Sequence, residues 1–298
     1  MKIDGSSKLI IAMLFSMSIW GGSWTSSKVL ADKAPAEVLA FWRFLLTTVS
    51  FLPVMILLKK PFKLSRKPLL FSLGGALCMV SYNEGLFLGL RYGFASGGGV
   101  LVTTLNPILT FVFAAIIFRK KLSGRDISAL FIGFTGGMIL LEIWKISYLH
   151  LFHSGNLFFL LCTSSWALLT ITSQGSQKWM HAFTFSFYVY AFAAMMDLFI
   201  ALPKGIMIPV GKGLPFWGNI IYMSVGSTTI ATTIYFIASM RMGSEKASSF
   251  IFTVPATAVL FAWIFLGEIP HFSTIVGGLI ALAAVYMINR KQRIANSQ

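Results

Sequence analysis

The chain alternates long apolar stretches with short polar gaps from one end to the other. Ten stretches approach or exceed the ~20 apolar residues a helix needs to cross a bilayer. They cover roughly 9–30, 35–58, 69–90, 94–118, 124–141, 154–174, 182–202, 214–239, 245–266 and 271–288. Proline and charge mark the gaps, as in "KKPFKLSRKP" after the second stretch and "FRKKLSGRD" after the fourth. No gap is long enough for a soluble domain. Backbone polar groups in lipid must be satisfied within their own segment, so each stretch is expected to be a helix. The chain begins with lysines ahead of an apolar run, but that run continues to Leu30 with no small-residue cleavage site. A retained first helix is expected, not a removed leader.

The two halves of this pattern echo each other. "GFASGGGVLVTTLNPILTFVFAAIIFRKKL" resembles "GSEKASSFIFTVPATAVLFAWIFLGEIP", with Pro107 matching Pro255. "RYG" at 91–93 matches "RMG" at 241–243, and Trp20 matches Trp166. Each half holds five spans, an odd number, so the second half must enter the membrane from the opposite side. The expected fold is therefore an all-α integral membrane protein. Its ten transmembrane helices form two inverted five-helix repeats, residues 1–146 and 147–298, an architecture common among secondary transporters.

Composition agrees. Of 298 residues, 56% are hydrophobic and 11% charged, against roughly 25% charged in a soluble domain. The net charge of +15 does not indicate nucleic acid, because Lys and Arg fall in the gaps between apolar runs. With the N-terminus placed inside, the inner segments hold 17 Lys and Arg and the outer loops 6, with Arg43 inside a span. That asymmetry places both termini in the cytoplasm, in a bacterial inner membrane. Trp144, Tyr148, His150 and His153 share one outer loop and read as interfacial anchors rather than metal ligands. Cys78 and Cys162 read as buried free thiols.

Polar side chains inside lipid are costly and should turn inward. At helical spacing, Ser16, Trp20, Ser23, Trp24 and Ser27 share a face of span 1. So do Ser96, Gly99, Thr103, Asn106 and Thr110 of span 4, and Trp166, Thr170, Ser173 and Gln177 of span 6. Ser224, Thr228, Tyr235 and Ser239 form a fourth stripe in span 8. These stripes predict a central cavity, whereas the Gly-Gly pairs at 136–137 and 277–278 fit close helix packing better. Pro107 and Pro255 interrupt spans 4 and 9 and disturb the carbonyls of Thr103 and Ile251. Such breaks either line a substrate site or are plain kinks.

Three charges lie inside spans. Counting ~1.5 Å per residue, Arg43, Glu84 and Asp197 stand at roughly 12, 9 and 8 Å from the same face. Glu84 is expected to face the cavity and pair with Arg43 or hold a proton, or else to belong to a structural ion pair. The substrate-binding set expected from these faces is Trp20, Trp24, Arg43, Tyr82, Asn83, Glu84, Thr103, Asn106, Trp166, Thr170, Tyr190 and Tyr235.

"SIWGGSWTSSK", "FWRF", "LRYG", "NPILT" and "FLGEIP", in this order and spacing, resemble the EamA type of the drug/metabolite transporter superfamily over nearly the whole chain. The resemblance implies two inverted five-helix halves around a central cavity. It also implies export of amino acids or related metabolites by alternating access, coupled to a proton or to exchange. The family often places Gly-Glu after the fourth span, where this chain reads Arg119-Lys120-Lys121. The alternative is an importer or antiporter of a cationic or nucleoside-like metabolite such as S-adenosylmethionine. Acids in the cavity would attract that cation, whereas Arg43 exposed alone would prefer a carboxylate. A membrane-embedded enzyme is the distant reading, because no HExxH, GxSxG or paired aspartates occur within a span. No P-loop and no cofactor motif is present. The expected partners are a small-molecule substrate, membrane lipids and a coupling proton, with the chain acting as a monomer or weak dimer.

Overall fold

The structure is a computed structural model that describes residues 5–31, 33–92, 95–119, 121–140, 142–145, 156–266 and 272–289. The helices of the first half are α1 (Gly5–Ala31), α2 (Ala36–Leu57), α3 (Arg66–Tyr92), α4 (Ala95–Ile117) and α5 (Gly124–Leu140). In the second half, α6 is Asn156–Ser176 and α7 is Ala182–Ala201. Span α8 has three pieces, an α-helix Leu214–Ile221, a π-helix Tyr222–Thr232 and an α-helix Thr233–Met242. Span α9 is α-helical over Ser244–Ser249, 3-10 over Phe250–Thr253 and α-helical again over Val254–Leu266. The last is α10 (Phe272–Asn289). Each expected span is a helix, and the largest boundary shift is the start of α1, at residue 5 instead of 9.

Local chemistry sets the ends. Ser123 Oγ accepts the Asp126 amide at 3.2 Å, and the Asp126 carboxylate accepts the Ser123 amide and hydroxyl at 3.1 and 2.6 Å. This reciprocal cap starts α5. Between α8 and α9 the chain reverses at Gly243, whose φ of +94° suits glycine, and the next amide, Ser244, donates to Gln174 Oε1 at 2.8 Å.

Packing follows the repeat. Helix α2 packs on α7, and α5 on α10; each pair maps onto itself when the halves are exchanged. The α3–α6 pair mirrors α8–α1, and α4–α6 mirrors α9–α1. The assembly is thus two interlocked inverted halves related by a pseudo-twofold axis. At the α5–α10 contact the glycines act as the sequence predicted. A Cβ on Gly136 would come within 2.9 Å of the Ala281 amide and 3.0 Å of the Gly277 carbonyl.

The surface is that of a protein in lipid. Phe15, Ile56, Phe131, Phe199 and Leu279 are each more than half exposed, while Thr47, Thr110, Thr170, Ser173 and Asp197 are fully buried. Five described helical stretches, 7–27, 36–57, 157–176, 182–204 and 214–242, are long and apolar enough to cross a membrane. Cys78 and Cys162 are free thiols. His150, His153 and Glu268 lie outside the described residues.

Candidate substrate cavity

Helices α1, α2, α3, α4, α6, α8 and α9 enclose a cavity of ≈ 60 Å³. From α1 it receives Trp20, Ser23, Trp24 and Ser27, which recur at helical spacing on one face. Helix α2 contributes Arg43, α3 Tyr82 and Leu86, α4 Val102, Thr103 and Asn106, and α6 Trp166. The irregular parts of the second half supply Ser227 and Thr232 from α8 and Ile251 and Val254 from α9.

Aromatic rings dominate one wall. Trp20 and Trp166, equivalent positions of the two repeats, meet edge to face with centroids 5.0 Å apart. Tyr82 stands 4.7 Å from Trp166, and Tyr235 backs both tryptophans at 5.1 and 5.8 Å. Trp20 Nε1 donates to the Ser227 carbonyl at 3.1 Å, tying α1 to the π-helix. Trp166 Nε1 stands near the Tyr235 hydroxyl without making a hydrogen bond of normal geometry. It is thus a buried donor beside the cavity with no acceptor.

Arg43 is the charged side chain among the described lining residues. Its Nε donates to Thr228 Oγ1 at 3.0 Å and its Nη1 to Asn83 Oδ1 at 3.3 Å. Asn83 is itself anchored through Nδ2 on the Met79 carbonyl at 2.9 Å, and the Thr228 hydroxyl donates to the Met223 carbonyl at 2.8 Å. The guanidinium is therefore aimed by two fixed acceptors and keeps donors for a ligand.

The expected site residues divide into three groups. Trp20, Trp24, Arg43, Tyr82, Thr103, Asn106 and Trp166 line the cavity. Asn83, Thr170, Tyr190 and Tyr235 stand one layer behind. Thr170 bonds the Tyr235 hydroxyl at 2.9 Å, and Tyr190 donates to the Thr228 carbonyl at 3.2 Å. Glu84 is apart from both groups. Two residues from Tyr82 and two from Leu86, it falls on the opposite face of α3. No Arg43–Glu84 ion pair forms; Arg43 turns its Nε and Nη1 to Thr228 and Asn83.

The α8 stripe also differs from the expectation. Ser224, Thr228, Tyr235 and Ser239 glue helices together rather than line the cavity. The Ser224 carbonyl accepts Thr47 Oγ1 at 3.1 Å, and Ser239 donates to the Thr170 carbonyl at 2.8 Å. Ser227 and Thr232 replace them in the lining because i→i+5 bonding in the π-helix turns its side chains off the 3.6-residue period of an α-helix. Thr228 and Thr232 both back-bond to carbonyls five residues earlier. The Ile251 carbonyl, disturbed by Pro255, is taken by the Val254 amide in the 3-10 turn.

The sequence matches the EamA-like transporter family over residues 7–141 and again over 153–290. The chain belongs to this family. The two matches are the two five-helix halves. A transporter of Archaeoglobus fulgidus named as uncharacterized is 24% identical over 298 residues, covering 96% of this chain and 99% of its own. Transporter YyaM of Bacillus subtilis, likewise named as uncharacterized, is 23% identical, with 93% and 92% covered. A probable amino-acid metabolite efflux pump of Salmonella typhimurium is 26% identical over 166 residues, covering 55% of this chain and 51% of its own. A crystal structure at 15% identity aligns over 95% of this chain and 98% of that one with a TM-score of 0.70, showing the same fold.

Proposed function

We propose that the chain carries small organic metabolites that bear a carboxylate and a flat apolar body, amino acids among them, across the membrane. It works as a secondary transporter by alternating access. The observation that carries this reading is Arg43, which shares the cavity lining with three tryptophans and with no acid among the described lining residues. A guanidinium in a water-poor site pairs strongly with carboxylates, and the rings offer faces to an aromatic body or an ammonium group. The cationic reading lacks a partner charge there, because neither Glu84 nor Asp197 is among the described lining residues. Outward transport is supported by the likeness to the amino-acid metabolite efflux pump. The excess of Lys and Arg on the face carrying both chain ends supports cytoplasmic termini in a bacterial inner membrane.

Thermal unfolding of the purified chain against a matched panel tests the substrate class. Phenylacetate, phenylalanine and benzoate should raise the apparent Tm in proportion to concentration, while phenethylamine and phenylacetamide should not. Stabilisation that follows the amine regardless of the carboxylate would overturn the reading. Counterflow in proteoliposomes with the stabilising compounds then tests transport.

A further inference from the structure

We propose that Asp197 is a proton-binding group reached from the outer face through Glu84, and that Arg43 links its charge to the cavity. The link rests on the substrate reading above; the proton site does not.

Asp197, in α7, is 0% exposed, and neither carboxylate oxygen has a hydrogen-bond partner. Native proteins satisfy nearly all buried polar atoms, and a buried charge without a partner is among the costliest of groups. The charged and titratable groups facing it come from every neighbouring element. Helix α2 brings Arg43 and α3 brings Glu84, while Glu37 of α2 and Lys204 of the turn after α7 act on Glu84. Tyr190, also on α7, bonds the Thr228 carbonyl at 3.2 Å. Arg43 is the nearby cation, yet its Nε and Nη1 point elsewhere.

These groups form a series. Lys204, 52% exposed, lies 3.9 Å from Glu37. Helix α3 packs on α7, and Glu84, half-buried, is within electrostatic reach of Glu37 and Lys204 and of Asp197. Of the two carboxyls Asp197 is the one wholly removed from water and without a hydrogen-bond partner, so it is the one for which a proton offsets the cost of burial. The face of α3 that keeps Glu84 out of the cavity thus places it on a route from solvent to Asp197. A substrate carboxylate on Arg43 would add negative charge beside Asp197 and draw a proton in with the substrate. A monocarboxylate would then cross without net charge, outward whenever the cell accumulates it.

Infrared difference spectroscopy of the full chain in lipid vesicles, stepped in pH, tests the proton site without any substrate. A protonated-carboxyl band should appear in the wild type and vanish in Asp197→Asn. Glu84→Gln, on a half-exposed position, should keep the band and move its midpoint to lower pH by on the order of one unit, since a repelling charge is gone. A wild-type spectrum that Asp197→Asn leaves unchanged overturns the proposal. Should that variant not fold, an unmoved midpoint in Glu84→Gln does so. Benzoate at fixed pH should enlarge the band in the wild type and not in Arg43→Gln; an equal response in both overturns the link. Benzoate that changes neither the band nor the Tm overturns the link through the cavity reading, while the pH series still decides Asp197.

Discussion

Arg43→Met separates what Arg43 does for the fold from what it does for a ligand. Methionine keeps most of the length and removes the charge. Thr228 Oγ1 loses the Arg43 Nε donor but still donates to the Met223 carbonyl at 2.8 Å. Asn83 keeps its Nδ2 bond to Met79, while its Oδ1 loses the Nη1 donor. The structural loss is therefore one orphaned acceptor, about 1–3 kcal/mol, partly offset because a half-buried charge no longer needs solvation. A net loss under about 2 kcal/mol corresponds to a Tm drop of roughly 4–8 °C. Binding should suffer more. Removing one partner of a desolvated, hydrogen-bonded charge pair costs about 2–5 kcal/mol, or about 30- to 5,000-fold in Kd. Titration of the Trp20, Trp24 and Trp166 fluorescence with benzoate and phenylacetate measures this directly. A folded Arg43→Met protein that binds both compounds within about threefold of the wild type would refute the assignment of Arg43 as the carboxylate partner.

Three further substitutions and one control test the packing. Trp20→Phe removes the 3.1 Å bond to the Ser227 carbonyl, which keeps Thr232 as a donor; about 1 kcal/mol should be lost, and unchanged near-ultraviolet circular dichroism would contradict the Trp20–Trp166 contact. Gly136→Leu must separate α5 from α10 and should cost about 1–3 kcal/mol or more. Gly74→Leu, with nothing within 4 Å of its Cβ, should melt like the wild type and is the control. Ser123→Ala deletes the cap of α5 and should lower stability by about 1 kcal/mol, read as Tm in the same detergent.

The spans were legible because each is a long apolar run closed by charge or proline, and lipid leaves the backbone no alternative to helix. The axis was legible as well: Trp20 and Trp166, matched from sequence alone, touch. Side-chain direction was less so. For α3 the signal was present, since Glu84 is two residues from Tyr82 and cannot share its face. For α8 it was not, because a 3.6-residue period was applied where the chain forms a π-helix. The two prolines show the same limit. Helix α4 runs through Pro107, whereas the turn before Pro255 tightens to 3-10. There the Phe252 ring fills the space beside Gly133 of α5, a contact that sequence spacing does not contain.

That asymmetry bears on how the carrier moves. A volume of ≈ 60 Å³ holds a few water molecules, not an amino-acid-sized body, so loading requires the walls to shift. Two walls already depart from the α-helix, the π-helix of α8 and the 3-10 turn of α9, and both belong to the second repeat. Their counterparts in the first repeat, α3 and α4, are regular along the same cavity. Inverted repeats alternate access by one half taking up the conformation of the other. The opposite-facing state should therefore loosen α3 around Tyr82–Leu86 and α4 around Val102–Asn106 while α8 and α9 regularise. Hydrogen exchange during phenylacetate counterflow should show the amides of those α3 and α4 segments opening. If they stay as protected as the α5–α10 pair throughout turnover, the two halves do not trade conformations and the motion must come from elsewhere in the bundle.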